Sequence, residues 1–307
     1  MLFSFLLIFT YVFLTFLVIK KIFSGDTFYL LIYILFFLPF YSFFQLIIFK
    51  TSDNIFLVNF IRYSKDIVIF LSFIVLIFGF KGRIIDQKFK LTLLDKLVTI
   101  FSVIAIIYAL LPIGLASFFD KLIYLKNILL IGVVYLIGRS TDISFNKFIV
   151  LKKALIYIPL LAFFVSSLEY IVGTHLHTFL DYSKFNLIFY DISSTGNFGL
   201  SWTFERGPDN PRFASFFSNP LEYSANLLLF LTIPLFYIIH NYKNKFYYFF
   251  LLIIIFLSFY YAYSRASILS GFLMIILALV LNKNFKVLAN LSMILLLCLF
   301  VTYLLVS

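Results

Sequence analysis

Long apolar runs recur along almost the whole chain, and they constrain its fold more than any other feature. A helix needs about 20 mainly apolar residues to cross a bilayer, with a range of about 17 to 25. Stretches that reach or approach this length are 2–19, 28–49, 64–80, 95–114, 122–138, 154–172, 221–240, 246–264, 266–282 and 287–306. A chain with 64% hydrophobic residues, 12% charged residues and a mean hydropathy of +1.10 does not fit a soluble domain. The sequence therefore predicts an all-α fold, a polytopic transmembrane helical bundle of about ten spans.

The connections between these runs predict which side of the membrane they face. We find no internal repeat and no flexible linker, so we expect a single integral membrane domain over residues 1–307. Lysine and arginine concentrate in alternate connections, namely 20–27, 81–96, 139–153, 241–245 and 283–286. Short cytoplasmic loops carry such an excess, which places both termini on the outer side. Because the net charge of +11 is dispersed through short loops, it does not indicate nucleic-acid binding.

One long stretch, which we call the polar segment (residues 173–219), differs from the rest of the chain. Charged side chains and irregular backbone cannot face hydrocarbon and must face water or line a cavity. We therefore expect a long extracytoplasmic loop that carries the site. Its run from Glu205 to Arg212 contains two prolines and a glycine, so it cannot form a regular helix. At its end, Asn219 suits a helix cap and Pro220 the first helical turn.

Arg206 and Arg212 are the first candidate ligands for an anion. A helix that begins at Pro220, with Arg212 nearby, offers a favourable place for phosphate. The alternative is that both arginines anchor the chain at the membrane interface or pair with Glu205 and Asp209.

Arg265 is the next candidate, because it is the one charged residue between Lys245 and Lys283. Two spans must share this length, so the turn between them is nearly absent and Arg265 lies at the outer interface. Charge at such depth usually faces a cavity or a partner. The alternative is an arginine whose side chain reaches up to lipid phosphate.

Other charged residues are weaker candidates. Arg62, Lys65 and Asp66 share one helix face, where they extend a cationic surface or form an Arg62–Asp66 pair that anchors the helix. His175 and His177 lack the spacing of a zinc-binding helix, so we expect no metal. A histidine is nevertheless a good general base near neutral pH. Surface histidines without a role are commoner still.

These motifs together resemble the family of O-antigen polymerases and O-antigen ligases, which are bacterial membrane glycosyltransferases. Its members have an outward loop with Arg, then a short stretch with Gly and Phe, then Asn-Pro-Asn leading into a span. Two spans later they have a Ser-Arg-(Gly/Ala) step. The first pattern is matched by Arg212, Phe217, Asn219 and Pro220, and the second by Ser264, Arg265 and Ala266. Ser215 stands where the family usually has glycine, and Leu221 where it has the second asparagine.

The resemblance implies a polymerase of O-antigen or of a capsular or extracellular polysaccharide, acting at the outer face of the bacterial cytoplasmic (inner) membrane. The donor would be an oligosaccharide on a polyprenyl diphosphate carrier, transferred to the hydroxyl of a glycan acceptor without cofactor or metal. Arg212 and Arg265, helped by Arg206, would bind the diphosphate. The candidate bases are His175, His177 and Glu205, and the supporting residues are Asn219, Ser264, Arg62 and Lys65.

Three alternatives stay open. A ligase of the same family uses the same donor. A transporter or flippase of lipid-linked glycan should carry charges inside several spans and often has repeated halves. An inactive, truncated remnant is the third, because family members usually continue with a second large outward loop and further spans, whereas this sequence stops at Ser307.

Overall fold

A computed structural model describes residues 2–52, 54–78, 92–114, 117–141, 143–207, 210–240 and 245–282. Helices dominate the described chain. The eight that precede or lie inside the polar segment are α1 (Leu2–Phe23), α2 (Phe28–Ser52), α3 (Ile55–Phe78), α4 (Leu93–Leu110), α5 (Phe118–Ser140), α6 (Phe145–Val172), α7 (Leu176–Phe179) and α8 (Tyr182–Tyr190). A 3₁₀ turn (Trp202–Phe204) follows, and then the short antiparallel strands β1 (Glu205–Gly207) and β2 (Asn210–Pro211). The last three helices are α9 (Pro220–Ile239), α10 (Lys245–Ala262) and α11 (Arg265–Leu281).

The all-α prediction is confirmed, and the apolar helices identify a membrane protein. Each expected span up to residue 282 contains one helix, whereas the expected span 287–306 lies outside the described residues. By length and composition, α4, α5, α6 and α9 can each cross a membrane, and α2 is a fifth if its two bent halves form one span. Helices α10 and α11 are apolar but shorter. The number of ten spans stays a prediction.

The described residues fall into two compact units. The first contains the described residues within Met1–Ile34 and Asn54–Phe148, and the second contains those within Leu35–Asp53 and Ile149–Ser307. Helices α2 and α6 contribute residues to both units. The single domain expected from the sequence stays a prediction.

In the first unit, buried hydroxyl groups join three helices. The hydroxyl of Tyr11 on α1 forms hydrogen bonds with those of Tyr33 on α2 and Ser64 on α3. A second polar contact joins α4 to α5, where the Tyr135 hydroxyl donates to the buried carboxylate of Asp95 at 2.6 Å. Polar pairs of this kind hold helices together where the hydrophobic effect does not distinguish a neighbouring helix from lipid.

The second unit holds the polar segment on a densely packed core. Helix α9 is central, and its buried side chains pack with those of α6, α10 and α11. Phe216 and Phe217, at the end of the polar segment, belong to the same core and stack on each other. The polar segment is therefore anchored by aromatic side chains, and it begins and ends on helices of membrane-spanning length.

Candidate functional site: an arginine cleft

The junction of α10 and α11 fixes the position of Arg265. As predicted, the turn is nearly absent, because Tyr263 and Ser264 alone separate the two helices. Tyr263 takes the left-handed conformation with φ 50°. The Ser264 side chain caps α11 by accepting a hydrogen bond from the N–H of Ser267. Arg265 is therefore the first residue of α11, with its side chain exposed.

The strands of the polar segment position the other two arginines. Arg206 lies in β1, and Arg212 follows β2 directly. The N–H of Arg212 donates to the carbonyl of Phe204 at 2.8 Å, and that of Phe213 donates to the carbonyl of Tyr261 at 3.0 Å. The first bond joins two parts of the polar segment, and the second ties the segment to the end of α10. The prediction that this run forms no regular helix is confirmed.

Arg206, Arg212 and Arg265 line one cleft of about 440 Å³. We call it the arginine cleft, and its remaining lining residues are Leu221, Tyr263, Ser264 and Ala266. The structure thus brings together the three arginines that sequence motifs singled out separately.

The arginine cleft is strongly electropositive. No acidic residue lines it, and in the described chain, which leaves out residues 208 and 209, no carboxylate lies within 4.0 Å of its three guanidinium groups. Leu221 and Ala266 belong to the first turns of α9 and α11, so two helix N-termini add positive potential. The N-terminus of α11 also disfavours the cation Arg265. A bound anion would relieve all of these repulsions.

Arg206 and Arg212 occupy different environments in the cleft. The guanidinium of Arg206 lies over the ring of Tyr263, 4.3 Å from its centroid, and donates to the hydroxyl of the same side chain. The Nε of Arg212 is buried and has no hydrogen-bond partner among the described residues. Burial lowers the pKa of Arg212, and the nearby Arg206 and Arg265 lower this pKa further. Arg212 therefore has a buried side-chain donor that no described residue satisfies.

Asn219 supports the site through the start of α9. Its side-chain oxygen accepts a hydrogen bond from the N–H of Glu222 at 2.9 Å, and Pro220 is the first helical residue. Both positions agree with the sequence prediction. The Ser218 hydroxyl donates to the carboxylate of Glu222, which leaves that charge in the first turn where the helix dipole favours it.

The structure places His175 inside an aromatic cluster. Its ring lies 5.2 to 5.6 Å from those of Phe198, Phe204 and Phe213, and neither ring nitrogen has a hydrogen-bond partner among the described residues. Burial lowers the pKa of His175 to about 4. The imidazole is therefore neutral near pH 7 and enclosed by apolar rings.

His177 is as buried as His175 and also lies inside the polar segment. Its Nε2 donates to the carbonyl of Phe217 at 2.7 Å, whereas its Nδ1 has no partner among the described residues. Burial lowers the pKa of His177 to about 3. Neither histidine is among the residues that line the arginine cleft.

Glu205 is also buried within the polar segment. Its carboxylate is 5% exposed and accepts a hydrogen bond from the N–H of Asn197. It does not line the arginine cleft. The role of base for Glu205, His175 or His177 stays a prediction.

Arg62 and Lys65 lie in the first compact unit. The guanidinium of Arg62 lies 5.7 Å from the ring centroid of Tyr63. Asp66 forms an ion pair of 2.6 Å with Lys126 of α5. A partner on another helix was not among the sequence expectations, which considered only an Arg62–Asp66 pair. Their supporting role at the site stays a prediction.

Sequence reasoning missed the structural role of Glu169. Its two carboxylate oxygens accept hydrogen bonds of 2.8 Å, one from the N–H of Leu176 and one from the N–H of Ser215. The position of Glu169 in the sequence was a signal, because the helix dipole disfavours an acidic side chain in the last turn of a helix. Such an acid requires donors from elsewhere in the chain.

The part of the chain that the structure covers contains no cluster of three or more His, Cys, Asp and Glu side chains, which a metal site would need. In comparisons with protein-family models, with curated proteins and with solved structures, nothing matches this chain.

Proposed function

We propose that this protein is a membrane glycosyltransferase of the O-antigen polymerase type. It transfers glycan from a polyprenyl diphosphate carrier to the hydroxyl of a glycan acceptor at the outer face of the bacterial cytoplasmic membrane. In this proposal the polar segment is the extracytoplasmic loop of a bundle of about ten spans. The observation that carries it is the convergence of Arg206, Arg212 and Arg265 on one cleft without an acidic residue.

The chemistry needs positive charge at the leaving group. The bond between the anomeric carbon and the diphosphate oxygen breaks, and the diphosphate leaves with the electron pair. The acceptor oxygen forms the new bond to that carbon, and its proton passes to a base. Arginine binds phosphate through paired, charge-assisted hydrogen bonds. Guanidinium groups fixed before the reaction stabilise the charge that develops on the diphosphate.

Arg212 and Arg265 fit this role in complementary ways. The buried, unpartnered Nε of Arg212 is a donor that a phosphate oxygen can satisfy. Exposed Arg265, beside the first N–H groups of α11, offers its whole guanidinium to an anion. Because Arg206 is held by Tyr263, it supplies fixed charge rather than a mobile side chain.

The Arg265→Lys variant tests the proposal, because lysine keeps the charge but lacks the planar fork of donors. The variant replaces the wild-type protein in cells, and surface glycan is resolved by gel electrophoresis. We expect loss of long repeats while a single unit stays attached, with the protein still present in membranes by immunoblot. Arg139→Lys is the matched control, because Arg139 pairs with Asp95 in the first compact unit and is not among the residues that line the cleft; it should leave the pattern unchanged.

Two other results would contradict the proposal. Normal polymer length and amount in the Arg265→Lys cells would remove the diphosphate role of Arg265. Accumulation of unattached, lipid-linked polymer would instead identify a ligase.

A further inference from the structure

A second feature of the polar segment is the tryptophan loop (residues 195–205), whose backbone is closed by internal bonds. The N–H of Gly196 donates to the carbonyl of Leu200 at 2.9 Å, and the N–H of Asn197 donates to the carboxylate of Glu205. A Cβ at Gly196 would lie 2.5 Å from that same Leu200 oxygen, so a side chain has no room there. The loop is therefore a fixed structure.

Trp202 stands on the outer surface of this loop and is the one tryptophan of the chain. It is 65% exposed, yet its indole Nε1 donates to the hydroxyl of Thr195 at 2.9 Å. The hydrogen bond therefore fixes one edge of the ring, while most of the ring stays exposed. Burying such a ring normally contributes to stability, and a rigid exposed aromatic ring offers a large contact area at low conformational-entropy cost.

Residues with hydroxyl or amide side chains lie close to Trp202 along the loop. Ser201 and Thr203 flank it in sequence and bond to each other at 2.7 Å. Asn197 is exposed in the same loop. An exposed aromatic ring whose N–H is bonded to a threonine hydroxyl, in a loop with further hydroxyl and amide side chains, suits a sugar ring. The C–H face of the sugar packs on the π system while its hydroxyls find polar partners.

Trp202 also lies close to the arginine cleft along the chain. The 3₁₀ turn that it begins leads directly into β1, which carries Arg206. Even a fully extended chain would place the two Cα atoms no more than about 14 Å apart. A short oligosaccharide attached to a diphosphate can span a distance within this upper limit.

We propose that the exposed face of Trp202 is a carbohydrate-binding platform for a sugar ring of the glycan whose diphosphate occupies the arginine cleft. This inference rests on the proposed function and adds a glycan subsite to it. The competing role for an exposed tryptophan is an anchor in the membrane interface.

Fluorescence tests the platform directly, because all tryptophan emission of the protein comes from Trp202. The full chain is reconstituted into lipid vesicles, which add no tryptophan of their own. The probe is an oligosaccharide mixture released by mild acid from the surface polysaccharide of the cells that make the protein. We expect a saturable change in emission with the oligosaccharides and little quenching by brominated lipids. Strong quenching by brominated lipids, or emission that stays unchanged by the oligosaccharides, would overturn the platform.

Variants in cells provide the second test. We expect Trp202→Ala to reduce polymer amount roughly tenfold, as loss of a central aromatic contact does. Trp202→Phe keeps a ring and should restore most of it. Phe179→Ala, an exposed aromatic of the same polar segment, is the control and should behave as wild type. Equal polymer from Trp202→Ala and Phe179→Ala cells would contradict the platform.

The two proposals fail in different ways. If Arg265→Lys abolishes polymer while Trp202→Ala and the fluorescence show no effect, the platform is wrong and the proposed function stands. If Arg265→Lys leaves polymer normal while Trp202 still responds to oligosaccharide, the diphosphate role is wrong and glycan binding remains.

Discussion

The carboxylate of Glu169 accepts a hydrogen bond of 2.8 Å from the N–H of Ser215. Its other oxygen accepts one from the N–H of Leu176. A single side chain in the last turn of α6 therefore ties together the beginning and the end of the polar segment. Glu169 is 5% exposed, so water does not readily take over these bonds.

We expect Glu169→Gln to destabilise the polar segment, because an amide can accept one of the two bonds but turns an N–H donor toward the other. A buried donor left unsatisfied costs about 1–3 kcal/mol, and Glu169→Ala should cost more than Glu169→Gln. Limited proteolysis and thermal unfolding of the purified protein measure the effect. Asp181→Asn, an exposed carboxylate of the same segment, is the control and should change little. Equal proteolysis of the Glu169→Gln and Asp181→Asn variants would contradict this role.

Ser215 is a buried residue whose backbone conformation suits glycine better than serine. Its φ of 55° is left-handed, and its buried hydroxyl has no hydrogen-bond partner among the described residues. We expect Ser215→Gly to raise the melting temperature relative to Ser215→Ala, because both remove the hydroxyl but alanine keeps the strained Cβ. The free energy of unfolding of the two variants should differ by on the order of 1 kcal/mol. A melting temperature that is higher for the alanine variant would contradict the expectation.

The sequence is informative wherever local chemistry decides the structure. The Asn219 cap and the short turn before Arg265 follow from residue type and from the length available. Hydropathy places the beginnings of α3 and α6 nine residues too late, because Arg62 in α3 and Lys152 and Lys153 in α6 interrupt the apolar run just before the expected starts.

The environment of the histidines could not be predicted in the same way. The local sequence around His175 and His177 is polar, which favours the surface for both. Their surroundings are supplied by residues far along the chain, including Phe204 and Phe217, which fold back over them. A polar stretch of sequence can therefore contain a core of its own, and pattern alone does not show which side chains form it.

Burial of the two histidines predicts a pH dependence of stability. The folded protein keeps His175 and His177 neutral, with pKa values of about 4 and about 3, whereas in the unfolded chain both titrate near 6.5. Below pH 6.5 the unfolded state gains protons that the folded state does not, so stability falls as the pH is lowered toward 4. The slope is at most about 1.4 kcal/mol per pH unit for each histidine.

The His175→Phe variant tests this dependence, since phenylalanine fits an aromatic cluster and carries no titratable nitrogen. We expect its melting temperature to fall less than that of the wild type between pH 7.5 and 4.5. Parallel curves for the two proteins would show that His175 is not responsible. The same variant bears on catalysis, because a base at His175 predicts loss of polymer from a protein that is otherwise stable.

Gly196 offers the sharpest steric test of the tryptophan loop. An added Cβ would lie 2.5 Å from the carbonyl oxygen of Leu200 and 2.7 Å from the carboxylate of Glu205. The loop would have to open, which breaks the bond from Gly196 to Leu200 and frees Trp202 from its fixed position. We expect Gly196→Ala to lower the melting temperature and to shift the single-tryptophan emission toward that of a more mobile, hydrated indole. Gly207→Ala is the matched control, because among the described residues, its chain neighbours apart, no atom lies within 4 Å of its added Cβ. If the two alanine variants give the same emission spectrum, the loop is not held closed at Gly196.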